Sequence, residues 1–230
     1  MDEFAKTANK SARALSTTTN EYAKASLIFY QQGLDDNAVK KRTDTVIKMA
    51  NVTGDSAEDV SSYMTAIWNN FAEGAENLEH YADVITKLGA ATASSSAEIA
   101  GGLEKFAAIA DTVGLSYEYA ATALATVVAN TRQSEETVGT AFKTIFGRLQ
   151  SLNLGETLDD DTTLTKYSNA LATVGVNIKE QSGELRAMDD ILDDLGAKWA
   201  QLSTEQKTAL ANTVAGTRQY SNFIALMDSY

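Results

Sequence analysis

GDSAEDVSSYMTAIWNNFAEG, residues 54–74, sets the pattern for the whole chain. Gly54 ends what precedes it, and Ser56-Ala-Glu-Asp59 has the shape of a capping box with Asp in place of the usual Glu. Val60, Tyr63, Met64, Ile67, Trp68 and Phe71 then stand three or four residues from one another along the chain (60/63/64, 64/67/68, 67/71), the spacing of one helix face. The helix is expected to end near Gly74, the residue type best suited to a left-handed C-cap.

The same grammar extends in both directions. Upstream, Asp36 to Asn51 reads as a helix with Val39, Thr43, Val46 and Ala50 on one face. Before it, residues 2–32 read as one long helix closed at Gly33. Phe4, Ala8, Ser11, Leu15, Thr18, Tyr22, Ala25 and Phe29 form its heptad seam, which Ser11 and Thr18 weaken, so it calls for a partner helix and suits a helical oligomer. Downstream, helices are expected over about Glu76–Ala91, from Ser95 to Val113, from Ser116, and from Ser134 to Gly155. Ser95 and Glu98 stand at capping-box spacing, and Ile99, Leu103, Phe106, Ala110 and Val113 give one continuous stripe. Residues 156–163, with Asp159-Asp160-Asp161, lack periodicity and read as an acidic loop. Helices resume at Leu164–Val174, Met188–Leu202, Thr204–Ala215 and Arg218–Ser229. Only Val176–Leu185 alternates apolar and polar residues about a Ser-Gly turn, which predicts one small β-hairpin near 176–186 at most.

The expected fold class is therefore all-α: a multi-helix array of stacked antiparallel helical hairpins behind a long N-terminal helix. Its divisions fall at 1–33 (long N-terminal helix), 34–155 (helical core), 156–163 (acidic loop) and 164–230 (C-terminal helices with the short hairpin). The chain has 230 residues and no proline, where average usage would supply roughly eleven. Without proline, only the glycines interrupt helices.

Composition removes several functions. There is no cysteine, hence no disulfide, thiolate zinc site or cysteine nucleophile. His80 is the one histidine, expected at the surface or boundary of its helix. A net charge of −12 argues against nucleic acid or an anionic membrane as a general partner. The longest uncharged stretch of apolar character, Tyr119–Thr131, is too short to span a bilayer, and the N-terminus does not read as a signal peptide. Gly139-Thr-Ala-Phe-Lys143-Thr144 lacks the glycine pattern of a phosphate loop and lies inside a helical stretch. Gly101-Gly102 is expected to serve close helix approach. Asp189, Asp190, Asp193 and Asp194 read as a solvated helix face and Asp159–Asp161 as a solvated loop, neither spaced as a calcium loop. Arg132, Lys143 and Arg148 could form a small basic strip, with acidic neighbours in the chain as the expected partners. No catalytic, cofactor-binding or metal-binding residue is expected, and the chain does not read as an enzyme.

In order, several blocks resemble the core region of phage tail tape measure proteins. They are Thr53–Val60 with Ala66-Ile67-Trp68-Asn69, Tyr81–Ser96, Lys105–Tyr117 and Val138–Arg148. Gly175-Val-Asn-Ile178 with Gly183-Glu-Leu185, Asp190-Ile-Leu192, and Val214–Tyr220 through Ala225-Leu226-Met227 complete the series, which covers roughly residues 40–230. The resemblance implies a structural component of a phage or prophage tail that sets tail length during virion assembly. It would lie in the tail tube lumen, be assembled in the host cytoplasm, and be released during genome ejection. Its partners would be the tail tube (major tail) protein and the tail assembly chaperones. Members are much longer than this sequence, so the chain resembles one module of such a protein. Two other readings compete: a generic helical adaptor or sensor module, and an envelope-active domain, although no hydrolase motif is present. Tail tube and chaperone genes alongside would favour the first reading, and liposome leakage or peptidoglycan clearing would favour the last.

Overall fold

A computed structural model describes residues 2–71 and 77–230, with side chains from residue 5 onward. The expected helix end at Gly74 and helix start at Glu76, and the seam position of the Phe4 side chain, lie outside the described residues. Thirteen helices are present among the described residues, and no strand, as an all-α fold requires. Two compact units divide the chain, Met1–Glu104 and Lys105–Tyr230. That boundary differs from the divisions expected at 33 and at 155–163. The N-terminal helical segment packs with residues 36–71, and residues 105–153 pack with the C-terminal helices.

The first unit comprises α1 (Asp2–Ala14), α2 (Thr19–Gln31), α3 (Asp36–Thr53), α4 (Ala57–Phe71), α5 (Leu78–Ala91) and α6 (Ser96–Glu104). The expected continuous helix over residues 2–32 is two helices, broken at Leu15–Thr18. The cause is local and tertiary together. Thr18 Oγ1 accepts from the Glu21 amide at 3.1 Å while the Glu21 carboxylate accepts from the Thr18 amide at 3.2 Å, a complete capping box that starts a new helix. Ser16 takes a left-handed φ of 56°, and Asn51 of α3 donates its side-chain N–H to the Leu15 carbonyl at 2.6 Å. The seam residues Ala8, Tyr22, Ala25 and Phe29 are then buried within the unit's own interior.

Helices α2 and α3 run antiparallel: the Tyr22 hydroxyl donates to Asp44 at 2.8 Å, and the Tyr30 hydroxyl to Asp36 at 2.9 Å. Of the two boxes read from sequence, Ser95 with Glu98 forms both arms. At Ser56 the hydroxyl accepts from the Asp59 amide and itself donates to the Asp59 carboxylate, so the cap forms without the backbone arm. The core is built from Phe29, Val46, Met64, Ile67, Trp68, Ile85, Ile99 and Leu103, each 1% exposed or less. Each such side chain contributes about 1.5–3 kcal/mol through burial. Close helix approach occurs at Gly89, where a Cβ would stand 2.7 Å from the Ser96 Oγ and 2.9 Å from its backbone nitrogen. At Gly101 a Cβ would meet nothing within 4 Å, so the close contact expected there is absent.

The second unit comprises α7 (Ala107–Thr112), α8 (Tyr117–Thr131), α9 (Glu135–Asn153), α10 (Leu164–Ala172), α11 (Met188–Trp199), α12 (Thr204–Ala215) and α13 (Tyr220–Met227). The stripe from Ile99 to Val113, expected on one helix, is shared between α6 and α7. The chain breaks at Lys105-Phe106, and the Phe106 ring packs on Phe142 and Phe146 at 5.3 and 6.0 Å. Those three rings, with Leu124, Tyr167, Trp199 and Phe223, make the unit's core. Residues 156–163 contain no helix. The expected hairpin reduces to one antiparallel bridge, Lys179 with Leu185, around Gly183 at φ 92°.

Candidate functional site

Arg148, in the last two turns of α9, has four partners in the second unit. Its guanidinium donates to the Thr213 carbonyl at 3.0 Å and the Val214 carbonyl at 3.1 Å, two of the acceptors left open at the C-terminal end of α12. A cation at that pole of a helix also meets its macrodipole favourably. The same guanidinium pairs with Asp160 at 2.8 Å and reaches the Thr162 hydroxyl at 3.4 Å, tying down the acidic loop. Room for it exists because the next residue after α12 is Gly216: a Cβ there would come within 2.9 Å of Nη1. Gly216 also takes φ 76°, which suits glycine. Burial raises the Asp160 pKa, but the hydrogen bonds from Thr162 and Arg148 and the charge of Arg148 outweigh it, holding the carboxyl below its ordinary range.

A second feature is a cleft of about 460 Å³ walled by α8, the first turns of α11 and the end of the chain. Asp189 accepts from the Ser116 amide through both oxygens, at 3.1 and 2.9 Å, and so helps to cap α8. Burial raises the pKa of Asp189, and the carboxylates of Asp193 and Asp190 push the same way against the Ser116 hydrogen bonds. The Tyr230 hydroxyl shares a hydrogen bond with that of Tyr119 and donates to Asp193 at 3.0 Å. Its ring lies over Gly196, where a Cβ would overlap it. Asp194 pairs with Arg186 at 2.7 Å. The carboxylates expected to form a solvated face are thus largely engaged within the chain, and only Asp190 fits that description.

The remaining singled-out residues are placed simply. His80 is exposed, its ring edge-on to Tyr81 at 5.7 Å. Gly139 through Thr144 lie inside α9, and Lys143 is exposed. Arg132 ends α8 in the left-handed conformation. The three cations share no strip, because Arg148 turns inward to α12 and the acidic loop. Among the described residues, no group of three or more His, Asp or Glu side chains is placed to hold a metal ion, and no helix is long and apolar enough to cross a membrane.

Arg42 escaped the sequence reading. It lies on the same helical row as Val39 and Val46, three residues after one and four before the other, and that spacing was the available signal. It is 8% exposed, with its guanidinium carbon 5.2 Å from the Trp68 ring centre and 6.0 Å from that of Phe29. Its Nε and Nη1 are buried without a hydrogen-bond acceptor. Desolvation lowers its pKa.

The Arg148–Gly216 junction joins two of the blocks that carry the family resemblance, Val138–Arg148 and Val214–Tyr220. A family model described as phage-related minor tail protein matches residues 6–216, spanning both units and ending at Gly216. The chain belongs to the phage-related minor tail protein family. It is a phage tail protein with a structural role. No solved structure matches it. In this minor tail protein, Arg148 serves to hold a helix end and a loop together.

Proposed function

We propose that this minor tail protein segment is part of a tape measure protein. It sets tail length during assembly, occupies the lumen of the tail tube, and leaves with the genome at ejection. The tail tube protein and the tail assembly chaperones gather along its helices, in the host cytoplasm first and the virion afterwards. It acts by extent and contact, without catalytic chemistry of its own. The observation that carries this reading is the ordered series of tape-measure-like blocks over roughly residues 40–230, within a match to the minor tail family over residues 6–216. The physical support is that a proline-free helical chain converts residue count to length at about 1.5 Å per residue.

The test is an in-frame deletion of these residues in the parent phage, with tail lengths measured by electron microscopy. Tails should shorten by up to roughly 345 Å, the length of the stretch as a single extended helix. An in-frame duplication should lengthen them correspondingly, which keeps the reading testable if the deletion abolishes tails. Virions of unchanged tail length in the deletion, or in the duplication where the deletion gives no tails, would overturn it.

A further inference from the structure

We propose that Arg42 is an opening point built into the first unit, the place where α3 parts from α2 and α4 before the rest of the unit unfolds. The inference concerns this unit alone and does not depend on the tape measure reading.

The guanidinium sits between Phe29 of α2 and Trp68 of α4, so three helices meet at one charge. Two of its N–H-bearing nitrogens, Nε and Nη1, have no acceptor, and the whole residue is nine-tenths buried. The acid nearest along its own helix, Asp44, is already engaged by Lys40 and by the Tyr22 hydroxyl. Ring faces attract a cation, but they do not accept its N–H groups as a carboxylate or carbonyl would. Apolar neighbours in this core lose by opening; the guanidinium gains, because water satisfies both donors. Phe29 and Trp68 cover it from two different helices, so its release to water requires one or both to separate from α3. Local openings of a fold follow its lowest-cost route. Here that route runs through Arg42.

The decisive comparison is the full chain against Arg42→Met, which keeps a long flexible side chain and removes the charge and its donors. Amide hydrogen exchange of α2, α3 and α4 should slow by about tenfold or more in Arg42→Met, while α8 and α9 of the second unit keep their rates. In a Trp199→Phe background Trp68 is the one tryptophan, and acrylamide quenching of its emission should fall on adding Arg42→Met. Exchange that changes by less than about twofold, or accelerates, would overturn the proposal. So would an Arg42→Met chain that no longer unfolds cooperatively, since the guanidinium would then be a net support. Sodium acetate provides the remaining arm. Acetate that slows exchange in the wild type and not in Arg42→Met would make Arg42 a carboxylate receptor and displace the opening role.

Discussion

Gly89→Ala and Gly101→Ala make the same chemical change in two neighbouring helices and should move stability of the first unit in different ways. In both helices alanine is preferred over glycine by about 0.8–1.0 kcal/mol. At Gly101 nothing lies within 4 Å of the new methyl, so Gly101→Ala should raise stability by about that amount. At Gly89 the methyl would stand 2.7 Å from the Ser96 Oγ and 2.9 Å from the Ser96 backbone nitrogen. The hydroxyl can rotate away, but the backbone at the start of α6 cannot move without spreading α5 from α6. Such overpacking costs about 1–3 kcal/mol, which cancels the helix preference or exceeds it. The two variants should therefore differ by about 1–3 kcal/mol, with Gly101→Ala the more stable. Urea unfolding followed by Trp68 emission, in the Trp199→Phe background, measures the first unit directly. Equal stabilisation by both substitutions would refute the reasoning, because it would mean that α5 and α6 are not in contact at Gly89.

Two further outcomes concern the second unit. Arg148→Met should cost about 2–4 kcal/mol by leaving the Thr213 and Val214 carbonyls and Asp160 without their charged donor, read by denaturant unfolding through Trp199. The same variant should flatten the acid limb of stability. Asp160 has a depressed folded pKa, so its contribution is present above the ordinary carboxylate value of about 3.9 and is lost as pH falls through the lower folded value. An equally steep acid limb in Arg148→Met would place that dependence elsewhere. Tyr167→Phe should raise stability by about 1 kcal/mol, since the buried Tyr167 hydroxyl has no hydrogen-bond partner; a loss of stability on urea unfolding would show that the hydroxyl is satisfied in solution.

Much of this architecture was legible in advance because its signals are local. Ser56 with Asp59, Ser95 with Glu98, Ser116 and Ser134 each cap a helix through atoms three residues apart, and Gly33, Gly54, Gly114, Gly155, Gly175 and Gly216 each take a positive φ at a helix end. The break between α1 and α2 also had a local signal beside its tertiary contact: Thr18 and Glu21 spell a capping box, but a run of four-three spacing passes through them. Periodicity continues across a break whenever both helices bury the same side, so it reports burial better than continuity. Family resemblance was legible for a related reason, since its blocks are caps, stops and apolar faces in a fixed order.

Which helices keep company, and what the charges do, came from elsewhere. Sequence alone determined that this chain is helical, where most of its helices start and stop, and which face of each is apolar, because caps and stripes act within four residues. Tertiary structure alone decided that Phe106 leaves its stripe to join Phe142 and Phe146, and that Arg148 closes the end of α12, 65 and 66 residues away in sequence. It also decided that Arg42 lies between two rings with donors unmet. A ring or a guanidinium carries no mark of its distant partner. Its neighbours are chosen when the apolar faces of separate helices come together, and that choice depends on shape across the whole unit rather than on spacing along the chain.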